Sequence, residues 1–83
     1  MSQRIAIDFA PGEGALNRIV GLIERRGFVV RGVVMTDRDG RGTLNVDIDP
    51  RDPSRSIDIL SLQLARLHDV RSISFVPPAA EAA

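Results

Sequence analysis

Apolar residues in this chain repeat first at every second position, then at helical spacing, then as a continuous β-branched run followed by an alternating one. A second helical stripe and a last alternating run follow. Gln3 to Phe9 places Ile5, Ile7 and Phe9 on one side and Arg4, Ala6 and Asp8 on the other, the pattern of a half-buried strand. Pro11-Gly12-Glu13-Gly14 interrupts it as a loop. Leu16, Ile19, Val20 and Ile23 then form the i, i+3, i+4, i+7 stripe of an amphipathic helix, with Asn17, Arg18, Glu24 and Arg25 away from it. Arg25 and Arg26 suit the negative end of the helix dipole, and Gly27 can end the helix in a left-handed conformation.

Phe28 to Thr36 is apolar and β-branched, as strands are. The polar stretch Asp37 to Gly42 is expected as a hairpin loop with Asp39-Gly40 as its turn signal. In the next run Leu44, Val46 and Ile48 alternate with Thr43, Asn45, Asp47 and Asp49. Pro50 to Pro53 reads as a second loop, and Ser54 or Ser56 can cap the helix whose face is Ile57, Leu60, Leu64 and Leu67. Val70 to Val76 is the last strand, with Ile73 and Phe75 expected inward.

The order β-α-β-β-α-β with two split crossovers predicts an α+β, ferredoxin-like fold over residues 3–76. It comprises a four-stranded antiparallel sheet of order 4-1-3-2 with two helices on one face. Residues 77–83 are expected to fray as a disordered C-terminal tail. The second strand lies at a sheet edge, yet Phe28 to Met35 carries a single charge. An uncovered apolar edge invites pairing, so a homodimer is expected through Phe28, Val30, Val33, Val34 and Met35. The other sheet face, with Thr43, Asn45, Asp47 and Asp49, is expected to be polar.

Composition narrows the function. At 83 residues the core is small: such a domain buries about 60–65% of its unfolded surface. Eleven basic residues, all of them Arg, balance eleven acidic ones, which argues against a nucleic-acid surface. The aromatics Phe9, Phe28 and Phe75 sit in strand-like runs and are read as packing residues. Without cysteine there is no thiolate nucleophile or Cys-based metal site. No run reaches the roughly 20 apolar residues of a membrane span, and Met1 to Ile5 has no apolar leader, so the expected compartment is the cytoplasm.

Groups that can do chemistry are few. His68 beside Asp69 is read as a histidine at a helix C-terminus, favoured by the dipole; no nucleophile completes a triad. Asp37 and Asp39 lack the downstream Glu of a calcium loop, and Asp47, Asp49 and Asp52 are read as solvated strand and turn residues. Gly12 to Gly14 ahead of a helix lacks a nucleotide-loop pattern, but free N–H groups there can receive a carboxylate.

The passage Gly14-Ala15-Leu16-Asn17-Arg18-Ile19-Val20-Gly21-Leu22-Ile23-Glu24-Arg25-Arg26-Gly27-Phe28 resembles the opening helix of ACT domains. It looks most like those in the small subunits of acetohydroxyacid (acetolactate) synthase. Pro53 to Leu60, continuing to Gln63-Leu64-Ala65-Arg66-Leu67-His68-Asp69-Val70, is similar to that family's helix-to-strand passage. The length matches the short, isozyme II type of small subunit. The resemblance implies a cytoplasmic, non-catalytic regulatory subunit. It would activate a large catalytic subunit that holds thiamine diphosphate, FAD and magnesium and serves branched-chain amino-acid biosynthesis; no cofactor is expected on this chain.

The same resemblance implies an amino-acid effector site at Gly12, Gly14, Ala15, Val29 and Val30. Two positions depart from the valine-sensing pattern: Pro11 and Val29 stand where that family carries Asn. An amino acid needs polar partners for its charged groups, so weak or absent valine feedback is expected. The alternative is a stand-alone ACT-type amino-acid sensor acting on another protein.

Overall fold

The computed structural model describes residues 3–76; the expected tail, Pro77 to Ala83, lies outside the described residues. Its elements are β1 (Gln3–Phe9), α1 (Ala15–Arg25), β2 (Phe28–Arg38), β3 (Arg41–Pro50), α2 (Ile57–Ala65) and β4 (Val70–Val76). All strand pairs are antiparallel, in the order β2-β3-β1-β4, the neighbour relations the sequence predicts.

Alternation decides what is buried. Ile5, Ile7 and Phe9 of β1 and Leu44, Val46 and Ile48 of β3 are all fully buried, forming one core with Ile19 and Ile23 of α1 and Leu60 and Leu64 of α2. Both helices therefore cover the same sheet face. The α1 stripe is rotated from its expected phase: Ala15 and Leu22 are buried, whereas Leu16 and Val20 are half-buried. On a helix with apolar residues at Ala15, Leu16, Ile19, Val20, Leu22 and Ile23, two adjacent phases are nearly equivalent, and packing against sheet and neighbouring helix selects between them.

Gly27 follows α1 with φ 90°, a conformation costly for a residue with a Cβ. At the start of α2 the Ser56 hydroxyl accepts from the Ile59 N–H at 3.3 Å, so Ser56 rather than Ser54 is the cap.

Three expectations are corrected. The β2–β3 connection is two residues, not six: Asp39 (φ 55°) and Gly40 (φ 75°) form it, with strand pairing up to Arg38–Arg41. Two successive left-handed residues match the twist of a hairpin, and the flanking polar residues are exposed strand positions. Phe75 is not packed in the core: it faces inward opposite Ile5, on the helix-bearing side, but β4 is an outer strand and the ring is 47% exposed. His68 does not sit on the helix end, because α2 stops at Ala65 with Arg66 as its C-cap.

β2 contains a register shift between Val30 and Gly32 that leaves Arg31 unpaired with β3. This bulge puts Phe28, Val30, Val33 and Met35 on one face, opposite Pro50, Ile48, Val46 and Leu44. Burial falls along that row. Phe28 belongs to the core, Val30 packs against it, and Val33 and Met35 are exposed.

Candidate functional site

The loop between β1 and α1 is held from three sides. Gly14 precedes the helix in a left-handed conformation, φ 79°, and offers no side-chain cap. The Ala15 N–H instead donates to the Gly12 carbonyl at 3.1 Å. Arg18, one turn on, reaches back so far that a Cβ on Gly14 would lie 2.9 Å from its Nη1. From there Arg18 Nη2 donates to the Glu13 carbonyl at 3.1 Å.

The same guanidinium grips Asp69, at the turn into β4. Nε donates to Oδ2 at 2.7 Å and Nη2 to Oδ1 at 3.1 Å. The Asp69 side chain is nearly buried, and its backbone carbonyl accepts from the Ala10 N–H at 2.7 Å. The bond from Arg18 holds the Asp69 carboxyl below its usual range and raises the arginine in turn. His68 Nε2 lies 3.2 Å from Asp69 Oδ1, with the imidazole largely in solvent. Sequence reasoning placed Arg18 merely off the helical stripe and missed this clamp. Its signal was an aspartate at the tight entrance to a strand, where a carboxylate needs a partner.

The effector residues expected from the sequence do not converge within one chain. Gly12, Gly14 and Ala15 lie at the sheet end marked by the Phe9–Gly42 pair, whereas Val30 pairs with Ile48, next to Gln3. Gly42 and Ile48 are six positions apart on β3, roughly 20 Å at about 3.3 Å per residue. Val29 and Val30 also diverge, since Val29 stands opposite Asp49 on the open face while Val30 packs against the core. β1 and β2 both pair antiparallel with β3 and so run the same way. The start of β2 must therefore lie far from the end of β1.

Of the expected dimer edge, Val33, Val34 and Met35 are exposed on an outer strand, Val34 by 64%. Phe28 is a correction: its ring is core, because α1 covers the start of β2. The open sheet face is polar, as expected, and internally paired. Arg4 binds Asp47 through two bonds at 2.6 and 3.1 Å, and Arg31 binds Asp49 at 2.9 Å. Asp52 accepts from the Ser54 N–H and hydroxyl. These aspartates are strand and turn partners rather than a cluster.

The whole is a ferredoxin-like βαββαβ module with a glycine loop clamped at its first helix and an apolar outer strand. The chain belongs to the ACT domain family: a family model described as the ACT domain matches residues 11–73. ACT domains are regulatory modules. Among curated proteins none matches in sequence. Among solved structures, it is similar to the ACT domain from GTP pyrophosphokinase of Chlorobium tepidum. That match has a TM-score of 0.76 and 22% identity over 92% of this chain and 97% of that one. It is also similar to the acetolactate synthase small subunit from Thermotoga maritima, with a TM-score of 0.80 and 17% identity over 98% of this chain and 50% of that one. A formyltetrahydrofolate deformylase from Pseudomonas putida is similar at a TM-score of 0.79 and 12% identity, over 94% of this chain and 29% of the enzyme. At these identities the likeness is one of fold.

Proposed function

We propose that this chain is the regulatory small subunit of an acetolactate synthase, binding the large catalytic subunit and raising its activity. The observation that carries the reading is that the two passages resembling such subunits meet in the fold. Arg18 of the first, Gly14 to Phe28, bonds Asp69 of the second, Gln63 to Val70. The similarity to the Thermotoga maritima small subunit over 98% of this chain supports it. Thiamine diphosphate, FAD and magnesium would reside on the partner, and the chain's contribution would be a population shift toward the partner's competent state.

Pairing of β2 edges would give a homodimer with one continuous sheet. A two-fold axis at Val33 would set Val30 of one copy beside Thr36 of the other, bringing the start of β2 toward the partner copy's glycine loop. Valine feedback would be weak, because Ala15 N–H and the Glu13 carbonyl are already bonded within the chain and Pro11 has no N–H. The test is affinity co-purification of the tagged chain with the large subunit from the same source. Stoichiometric recovery supports the reading, and separate elution contradicts it.

A second reading is a stand-alone amino-acid sensor acting on another protein; the similarity to an ACT domain that serves a different protein, a GTP pyrophosphokinase, supports it. Calorimetric binding of an amino acid without any effect on acetolactate synthase would favour it.

A further inference from the structure

α2 is apolar on two sides. Leu60 and Leu64 enter the core, yet Ile59 and Leu62, three residues apart and therefore on one face, are 57% and 66% exposed. A short helix with large aliphatic residues on both faces has an unfilled contact.

Three arginines flank that pair, and one exposed carboxylate, Asp58, lies four residues before Leu62. Arg66 follows Leu62 by four residues and Ile59 by seven, the spacing of the same face. Arg26, at the end of α1, reaches across to Gln63 Oε1 at 3.1 Å. Arg55 lies against Gly27, where a Cβ would collide with its Nε and Cδ. Beside Ile59, Arg26 and Arg55 wall a recess of about 140 Å³ floored by Phe28 and Leu60, room for one aliphatic side chain. Among the described residues no carboxylate pairs with Arg26 or Arg66, and Arg55 meets Asp52 only at 3.6 Å.

We infer that this face of α2 docks an acidic amphipathic helix of a partner protein. Its aliphatic side chains would cover Ile59 and Leu62, and its carboxylates would meet Arg26, Arg55 and Arg66. Helix-on-groove recognition uses this pairing of apolar anchors with charged flanks. A second copy of this chain is the poorer occupant, because two-fold self-pairing about Ile59 and Leu62 would set Arg55 of one copy beside Arg66 of the other and leave Asp58 alone to offset them. The inference rests on the chain being a partner-binding regulatory module, and it assigns the docking surface to α2, apart from the β2 edge.

The test is NMR titration of the labelled full chain with a synthetic amphipathic helix. The probe has leucines at i, i+3, i+4 and i+7 and glutamates elsewhere. Expected are shifts centred on Ile59, Leu62 and Gln63, lost with the lysine counterpart and weakened by salt. Leu62→Asp, at an exposed position that leaves folding intact, should weaken binding about tenfold; Val34→Asp should not. No shift, equal binding of the lysine helix, shifts confined to β2, or α2 shifts caused by the chain's own concentration each overturn the inference. The large acetolactate synthase subunit is titrated in parallel. If the glutamate helix binds on α2 and the large subunit does not bind, the surface stands and the proposed identity falls. If Leu62→Asp leaves large-subunit binding unchanged and the glutamate helix does not bind, the surface alone falls.

Discussion

Arg18 and Asp69, fifty-one residues apart in sequence, form a two-bond ion pair at 2.7 and 3.1 Å that ties the start of α1 to the start of β4. The same arginine holds the Glu13 carbonyl, so one side chain fixes both the glycine loop and the last strand's entrance. Asp69→Asn keeps the shape but cannot accept from both guanidinium nitrogens as a carboxylate does. A melting temperature lower by several degrees is expected, with amide exchange rising first at Ala10 to Ala15. Unchanged exchange there would show that the pair does not hold the glycine loop.

Acid should weaken the fold through the paired aspartates. Bonds from Arg18 and Arg4 lower the Asp69 and Asp47 carboxyls below their ordinary value of 3.8. Below that value the unfolded chain binds more protons than the folded one. The stability these pairs contribute is therefore whole above about pH 4 and is lost as pH falls through their lowered values. Denaturant melts between pH 5 and pH 2 should show this loss. The double variant Asp47→Asn, Asp69→Asn, weaker at neutral pH, should show a shallower one.

Two glycines should fail for different reasons. Gly42 has the Phe9 ring across it, and a Cβ there would lie 2.7 Å from Cε1 and 2.8 Å from Cζ. Gly42→Ala overpacks a buried contact and should cost about 1–3 kcal/mol. Gly40 has open space but φ 75°, so Gly40→Ala should cost roughly 1–2 kcal/mol through backbone conformation alone. Replacing Phe9 with Leu should relieve the first substitution and not the second, which a double-mutant cycle checks.

The β2 edge should control association. Val34 and Met35 are exposed on the outer strand, and an inserted charge there blunts edge pairing. Val34→Lys with Met35→Glu should shift the chain to monomer in sedimentation equilibrium while changing thermal stability of the monomer by less than about 0.5 kcal/mol for each exposed substitution.

The strands were legible where one face is buried: Ile5, Ile7, Phe9 and Leu44, Val46, Ile48 alternate in sequence and all six are in the core. Local periodicity could not select the α1 phase, since Leu16 and Leu22 are equally apolar and only the packed neighbours distinguish them. Nor could it show the β2 bulge, although Gly32 within a strand is the residue such an irregularity favours. The candidate site was less legible because it depends on which strand ends share a sheet end. Gly14 and Val30 were grouped by resemblance, and the antiparallel pairing of both β1 and β2 with β3 holds them apart. Ile59 and Leu62 were visible as aliphatics off the α2 stripe, but the arginines around them come from three separate segments.

Activation of a catalytic partner is measured as acetolactate formation by the large subunit with and without this chain, then with added valine. A several-fold rise in rate that valine barely alters is expected of an activating subunit with a weak effector site. A rate unchanged by saturating amounts of the folded chain would rule out that role.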